Sequence, residues 1–297
     1  MACAGRWSVR FDGYGANQFC ARHNVDSSGY NTQVIPQGTA YESESWGWLL
    51  DDAYRGRVGL VNEPTIGIFD AALAAQAKGL IAFNDIGNLS RLEVDSLIEV
   101  MVDYKRRGQF NGIWSSVPQS VNFMKTGRVC IESMFSPAVS TLNGMGIPVT
   151  YAAPREGYRG WHGVLCLSSE TNGYVRDAAD YMNWWLDGWA GAYMARQGYY
   201  ISIPGIAREY LTPQEWDYWY EGKPAEGNLP GANGRIAVKD GSVRTGGSYL
   251  NRLSNVAVWN TVMDTYEYSL VRWYEFRRLD ENVNSQVLLI NEMYCND

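Results

Sequence analysis

The chain has 297 residues, enough for two domains of ordinary size, and 46% of them are hydrophobic, so it can form a sizeable core. Its formal net charge of −7 and sequence pI of about 5.0 argue against nucleic acids and anionic membranes as partners, because both select basic surfaces. The 12 Trp and 20 Tyr residues indicate rings that pack against a ligand as well as into a core.

Cysteine and histidine usage limits the chemistry. The five cysteines are widely spaced, which predicts neither a disulfide framework nor a zinc site. Cys130 and Cys166 lie in apolar runs, which predicts that both are buried. With only two histidines, we predict no metal site and no cofactor. The first residues contain no apolar segment, so no signal peptide is predicted in this chain.

The first elements follow a stretch over 1–40 that is rich in Gly, Asn and Ser and shows little periodicity. The apolar run at 55–62 predicts a buried strand. The next segment, 63–79, predicts a helix, because Pro64 suits its first position and Gly79 suits the residue after its end.

The rest of the chain alternates between helical and strand patterns. Helices are predicted at about 93–107, 118–126, 137–144, 173–196, 206–210, 213–220 and 254–279. Strands are predicted at 127–135, 147–154 and 162–169, and a hairpin is predicted at 236–244 around Asp240-Gly241. This alternation predicts an α/β architecture with largely parallel pairing.

Several segments together resemble one known family. They are Gly29-Tyr30-Asn31-Thr32, Ser45-Trp46, the run 49–58, Asn62-Glu63-Pro64, Gly127-Arg128-Val129, Tyr151 to Gly157 with Trp161, and the helix before Gly198-Tyr199. Their order and spacing are similar to those of the extracellular solute-binding proteins of ABC transporters, of the spermidine/putrescine-binding type. The resemblance implies a periplasmic binding protein type II-like fold, with two α/β lobes, mixed sheets and a hinge. It also implies periplasmic localisation, a small-molecule ligand and a membrane permease as partners.

The resemblance also implies a partition of the chain. Lobe two would hold 30–161 and 210–297, with crossings near Tyr30 and Trp161. Lobe one would hold only 1–29 and 162–209. Because the family has a longer segment before the first crossing, we expect the first lobe to be incomplete.

Ligand-binding positions follow from the same resemblance. Trp161 matches a ligand-stacking Trp and Tyr199 a cleft Tyr, while Phe135 stands where the family has a Trp and Glu63 at or next to a family carboxylate. The further predicted contacts are Trp114, Ser116 and His162. Aromatic faces and carboxylates in such a cleft bind ammonium groups by cation–π attraction and ion pairing.

Two departures from the family pattern change the expected ligand. The acid two residues after the stacking Trp is replaced by Gly163, and a second acid is replaced by Ile66 or Gly67. A polyamine would therefore be poorly neutralised, and we expect a zwitterion or a monoamine.

Two kinds of alternative remain open at the level of sequence. Five predicted contacts have structural alternatives, which are Trp161 as a core or hinge ring, Tyr199 as packing at the end of the helix over 174–197, Phe135 as a core ring, Glu63 as a partner of the helix dipole and His162 as a hinge residue. The chain could also be a carbohydrate-active enzyme, with Glu63, Glu132 and Glu156 as candidate acids, or a non-transport sensor with the same fold. No spacing among these acids singles out a pair, so we predict that the chain is not an enzyme.

Overall fold

A computed structural model describes residues 18–168, 171 and 173–279. The strands are β1 (Gln18–Asn31), β2 (Val58–Val61), β3 (Phe110–Trp114), β4 (Ile131–Met134), β5 (Val149–Tyr151), β6 (Tyr158–Cys166), β7 (Leu229–Pro230), β8 (Ile236–Val238) and β9 (Val256–Trp259). The helices are α1 (Pro64–Ala77), α2 (Arg91–Arg106), α3 (Val117–Lys125), α4 (Ser136–Gly144), α5 (Val175–Trp184), α6 (Trp189–Ala195), α7 (Pro204–Ala207), α8 (Pro213–Trp219), α9 (Tyr249–Ser254) and α10 (Tyr266–Arg277). The parts of the predicted lobes at 1–17 and 280–297 lie outside the described residues.

Strand β1 organises the main sheet, whose order is β3-β2-β4-β1-β6-β9 with β5 also paired to β1. Its last residues pair antiparallel with β4 and β5, while 18–26 pair antiparallel with β6. The pairs β2–β3, β2–β4 and β6–β9 are parallel. The sheet is therefore mixed, as predicted, and β1 alone joins its two groups of strands.

Helix α1 lies at the centre of the largest hydrophobic cluster. Glu63 accepts the Thr65 backbone N–H before the first turn, and Pro64 occupies the first turn as predicted. Residues 67–75 are all buried, so the helix is covered on nearly every side and not on one face only. Its alanines allow close approach, and helices α2 and α10 pack against it.

Three predicted elements differ from the structure. The helix over 173–196 is interrupted because Gly188 has a φ of 96°, which a right-handed helix excludes, so α5 and α6 are separate. The helix over 254–279 is wrong in its first part, where β9 pairs with β6 and α10 begins only at Tyr266. In the predicted hairpin only 236–238 is a strand, and its partner is Leu229–Pro230.

Two strands that the sequence analysis does not predict, and one wrong burial prediction, depend on contacts between distant segments. β1 and β3 were absent from the predicted elements, and both are held by pairing with distant strands. Cys130 is buried as predicted, but Cys166 is exposed because residues 161–168 alternate between half-buried and exposed positions. Within the described residues, no helix is long and apolar enough to cross a bilayer.

Candidate functional site

The carboxyl ends of parallel strands bring three predicted contacts to one edge of the sheet. Glu63 follows β2, Trp114 ends β3 and Phe135 follows β4, and these strands run parallel as neighbours. Ligands of open α/β sheets bind beyond the carboxyl ends of the strands, because side chains of the loops converge there. The topology therefore gathers these three residues at the edge where such sheets bind their ligands.

Contacts at this edge show what each side chain does. The rings of Trp114 and Phe135 meet edge to face at 5.0 Å, and the buried Trp114 donates from Nε1 to the Ser133 carbonyl at 3.0 Å. Ser116 is exposed and accepts the Gln119 N–H as the N-cap of α3. The exposed Glu63 accepts from the Thr65 hydroxyl at 2.9 Å. Trp114 is thus a core ring, while Phe135 remains half-buried at the edge.

A second group of predicted residues lies on β6 and just after α6. Trp161 and Tyr199 are both half-buried, and their rings meet edge to face at 5.6 Å. Tyr200 pairs with His23 of β1 through two backbone hydrogen bonds of 2.8 and 3.0 Å, so Tyr199 is held beside β1. The structure thus brings together two aromatic residues that the family resemblance marks as ligand contacts.

Arg22 joins this aromatic pair, and the sequence had not pointed to it. Its guanidinium carbon lies 5.9 Å from the Trp161 ring centroid and 5.7 Å from that of Tyr199. In the β1–β6 ladder Arg22 is opposite Gly163 and Asn24 is opposite Trp161, so these four residues share one face of the sheet. A Cβ atom on Gly163 would lie 3.0 Å from Arg22 Cγ. At the position where the family pattern has an acid, this chain has Gly163, and the side chain of Arg22 lies across it.

His162, the next residue on β6, does not join the pair of Trp161 and Tyr199. Successive residues of a strand alternate between faces, so His162 lies on the opposite face from Trp161. Its ring stacks on Trp259 at 4.3 Å with an interplanar angle of 5°, and burial lowers its pKa. The described contacts of His162 therefore separate it from the Trp161–Tyr199 pair.

A buried charge cluster lies along β1 beside the aromatic pair. Arg159 donates from Nε to Asp70 at 2.7 Å and from Nη2 to Asp26 at 3.2 Å, and the Tyr151 hydroxyl is 3.1 Å from Asp26. Burial raises the pKa of both carboxyl groups, to about 6 for Asp70, and Arg159 opposes the rise. Burial and then the Asp26 charge raise the pKa of Tyr199, which places Asp26 within electrostatic reach of the aromatic pair.

The register of β1 relates the two groups of predicted residues. Met134, the residue before Phe135, pairs with Ser27, while Trp161 pairs with Asn24. Three residues along a strand span about 10 Å. Phe135, just after β4, and Trp161, on β6, therefore lie about three residues apart along β1, on strands that flank it on opposite sides.

The second missing acid has a different structural explanation. A Cβ atom on Gly67 would lie 2.3 Å from the buried indole of Trp273 on α10, and the half-buried Ile66 packs in a hydrophobic cluster that includes Trp114 and Phe135. At Gly67 a carboxylate would collide with the Trp273 ring, and at Ile66 it would replace an apolar side chain that packs in this cluster. The core packing of α1 thus accounts for the absence of this acid.

The three acids considered for an enzyme have separate local roles. Glu63 caps α1, Glu132 is fully buried and accepts from the Ser120 hydroxyl at 2.8 Å, and Glu156 accepts from the Ser45 hydroxyl at 2.6 Å. Each of these contacts is structural and belongs to a different part of the described chain.

Comparison with known proteins gives a consistent result. A family model described as bacterial extracellular solute-binding protein matches residues 10–220. An ABC transporter substrate-binding protein from Bradyrhizobium japonicum USDA 110 superposes with a TM-score of 0.59 at 16% identity, covering 90% of this chain and 72% of that one. A search of curated protein sequences gives no match.

Two further solved structures share the fold but have different ligands in their descriptions. One is described as a GABA receptor, with a TM-score of 0.53 at 14% identity, covering 89% of this chain and 69% of that one. The other is the spermidine/putrescine ABC transporter substrate-binding protein of Streptococcus pneumoniae, with a TM-score of 0.52 at 11% identity, covering 88% and 69%. At these identities the likeness concerns the fold.

Proposed function

Since the chain belongs to the family of bacterial extracellular solute-binding proteins, we propose that it captures a small amine-containing or zwitterionic solute for an ABC importer and delivers it to a membrane permease. The proposed location is the periplasm, which follows from the extracellular character of the family. The ligand lies between aromatic side chains in a cleft between two lobes divided as the sequence predicts, and the chain carries out no chemical step on it.

The observation that supports the ligand class is Arg22 across Gly163, next to the rings of Trp161 and Tyr199. A guanidinium repels a polyammonium chain and binds a carboxylate through charge-assisted hydrogen bonds. The ring faces attract a single ammonium group. A solute with one amine and one carboxylate satisfies both ends, whereas spermidine or putrescine offers only cations.

The other predicted contacts are also part of this proposal, and we expect them to contribute unequally to ligand binding. Phe135, half-buried at the edge, is positioned to close the cleft from the carboxyl ends of the strands. Glu63 and Ser116 are exposed at the same edge, and each also caps a helix. Trp114 supports Phe135 from the core, and His162 is the residue that we expect to contribute least.

The test is a binding screen followed by titration calorimetry. The ligand panel contains amino acids, betaines, monoamines, polyamines and sugars, and thermal stabilisation should appear for one class because binding to the folded state alone stabilises it. We expect amino-acid-like or monoamine solutes to act and polyamines to fail. Stabilisation by polyamines alone would refute the expected monoamine or zwitterion, and cleavage of a glycoside without any stabilising solute would refute the transport function.

Two variants test the site itself. Trp161→Ala should weaken binding of the identified solute by a factor of about ten or more, as for a central aromatic anchor. Trp189→Ala removes a tryptophan that is 50% exposed on α6 and serves as the matched control, with affinity unchanged. Unchanged affinity in a folded Trp161→Ala variant would remove this residue from the site.

A third variant tests the charge argument. Arg22→Gln should weaken binding of a zwitterion and leave binding of its decarboxylated amine unaffected or improved, because only the zwitterion uses the guanidinium. An equal loss for both solutes would contradict the proposed role of Arg22.

A further inference from the structure

A cavity of about 110 Å³ lies between α4, β5, α8 and the segment 237–245. Its charged lining residues are Lys239, Arg244 and Arg252, and no described Asp or Glu lines it. The chain as a whole has a net charge of −7, so the positively charged lining of this cavity is opposite in sign to the net charge. Trp161, Tyr199 and Arg22 do not belong to its lining, which makes it a separate feature from the aromatic pair.

The two arginines of the cavity are buried, with exposed fractions of 7% for Arg244 and 1% for Arg252. Arg244 donates to the carbonyl oxygens of Trp219 at 2.8 Å and Gly198 at 3.2 Å. Arg252 donates from Nη1 to the Thr245 carbonyl at 2.8 Å. Its Nε and Nη2 have no hydrogen-bond partner within the described part of the chain.

Aromatic rings surround these guanidinium groups. Arg252 lies 5.0 Å from the Tyr158 ring, and Arg244 lies 4.9 and 5.1 Å from the rings of Tyr200 and Trp219. Rings and carbonyl oxygens offset part of the cost of burying a charge, but they carry no formal negative charge. Arginine remains protonated in proteins, so two positive charges stay in this buried region.

We propose that the cavity binds a small oxoanion, the carboxylate, phosphate or sulfate group of a solute, with Arg252 and Arg244 as its charge partners. Planar guanidinium groups match such oxygens in geometry and bind them with strong hydrogen bonds. Ser140 and Ser242 also line the cavity, and their hydroxyls can donate to the same oxygens.

Size and access are compatible with such an occupant. About 10–15 Å³ of cavity volume suffices for one water molecule, so 110 Å³ accommodates several waters or one small oxoanion. Lys239 and Val243 line the cavity and are exposed, so it reaches the surface at the turn after β8. The lysine adds a positive charge at this entrance.

The site also touches the segment that carries Tyr199. Arg244 bonds to the carbonyl of Gly198, the residue before Tyr199. An anion that holds Arg244 in place therefore also holds the backbone from which Tyr199 extends. The oxoanion site is a second binding site, and its existence does not depend on the identity of the solute bound by Trp161 and Tyr199.

The test is calorimetric titration of the full chain with sodium sulfate, sodium phosphate and sodium acetate at low millimolar concentration, with sodium chloride holding the ionic strength constant. At least one of the three anions should bind saturably. Binding of sulfate or phosphate alone identifies a tetrahedral group, and binding of acetate alone identifies a carboxylate. No saturable binding of any of them overturns the proposal.

Matched variants assign the binding to the cavity. Arg252→Gln should weaken it tenfold or more, while Arg235→Gln, which removes an exposed arginine of the neighbouring turn, should change it less than twofold. Equal affinities in these two variants would overturn the assignment. Trp161→Ala should retain oxoanion binding, and its loss there would overturn the claim of a separate site.

A surface variant keeps the test decisive if Arg252→Gln does not fold. Lys239→Glu reverses an exposed charge at the entrance and should weaken oxoanion binding several-fold. Lys125→Glu makes the same charge change at the exposed end of α3 and should leave binding unchanged. If both variants bind alike, the anion does not occupy this cavity.

Discussion

The raised pKa of Glu132 provides a quantitative test of the burial of β4 in the core. This residue lies on β4 with no exposed surface, and its Oε1 accepts from the Ser120 hydroxyl at 2.8 Å. Its Oε2 has no partner in the described structure and faces Gly59, where an added Cβ would approach it to 2.8 Å. Burial raises the pKa of Glu132 from 4.5 to about 8, and the Ser120 hydrogen bond opposes the rise. The folded chain therefore holds this carboxyl group protonated at neutral pH.

The sign of the pH effect follows from proton linkage. Between pH 4.5 and about 8 the folded state binds a proton at Glu132 that the unfolded state has released. The contribution of this group to stability is therefore complete below pH 4.5 and is lost as pH rises towards 8. The slope approaches about 1.4 kcal/mol per pH unit, so the free energy of unfolding falls by roughly 3 kcal/mol between pH 5 and pH 7.5 through this group.

Glu132→Gln removes the titration and keeps the shape of the side chain. The new amide changes stability by an amount that is constant with pH, so the informative quantity is how the difference between wild type and variant varies with pH. Urea unfolding at pH 5, 6, 7 and 7.5 should show this difference changing by about 3 kcal/mol in favour of the variant at the higher pH. Glu226→Gln, at an exposed glutamate, should give a curve parallel to the wild type.

Parallel curves for wild type and Glu132→Gln would refute the reasoning. They would mean that the carboxyl group ionises in the folded chain as it does in the unfolded one. The described burial of β4 between β1 and β2 would then be wrong at this position.

Three further predictions concern packing, the buried charges and histidine. Gly67→Ala should destabilise the fold by about 1–3 kcal/mol in urea unfolding, because the buried indole behind it cannot move aside, while Gly205→Ala, with open space at its Cβ position, should be close to neutral. Arg159→Met should cost about 3–5 kcal/mol by leaving two buried carboxyl groups unpaired, and Arg55→Met, at an exposed pair, should cost less than about 1 kcal/mol; equal losses would contradict the buried arrangement. Burial, followed by the second histidine, lowers the pKa of His23 to about 4, so stability from this group is present above pH 6.5 and is lost as pH falls towards 4. An NMR titration midpoint near 6.5 for His23 would contradict this placement.

Local sequence signals predicted the elements whose ends are marked chemically. Pro64 and Gly79 predicted the two ends of α1, whereas the Ser90–Glu93 capping box was overlooked, so the predicted second helix begins at 93 and α2 at Arg91. Each predicted strand at 55–62 and 127–135 contains a real one, although shorter. The ordered family motifs indicated the family that the comparison shows, because several motifs in one order and spacing are more specific than any single residue.

The aromatic pair was predictable only in part. Trp161 and Tyr199 were named from motif matches, but Arg22 was missed because the segment over 1–40 carries no periodicity. The one signal available was Gly163, whose missing side chain left space for another residue. Which residue fills that space depends on the β1–β6 register, and no local pattern encodes a register between strands more than 130 residues apart.

Sequence by itself determined the composition of the core, the caps of the main helices and the membership of a family whose motifs are spread along the chain. Tertiary structure alone decided the antiparallel course of β1, the conversion of 256–259 from predicted helix to strand and the meeting of Arg22 with Trp161 and Tyr199. The same holds for the cavity of Arg244 and Arg252. Caps and apolar patterns act within a few residues, whereas pairing and burial depend on contacts between distant segments, whose energies exceed the local preferences.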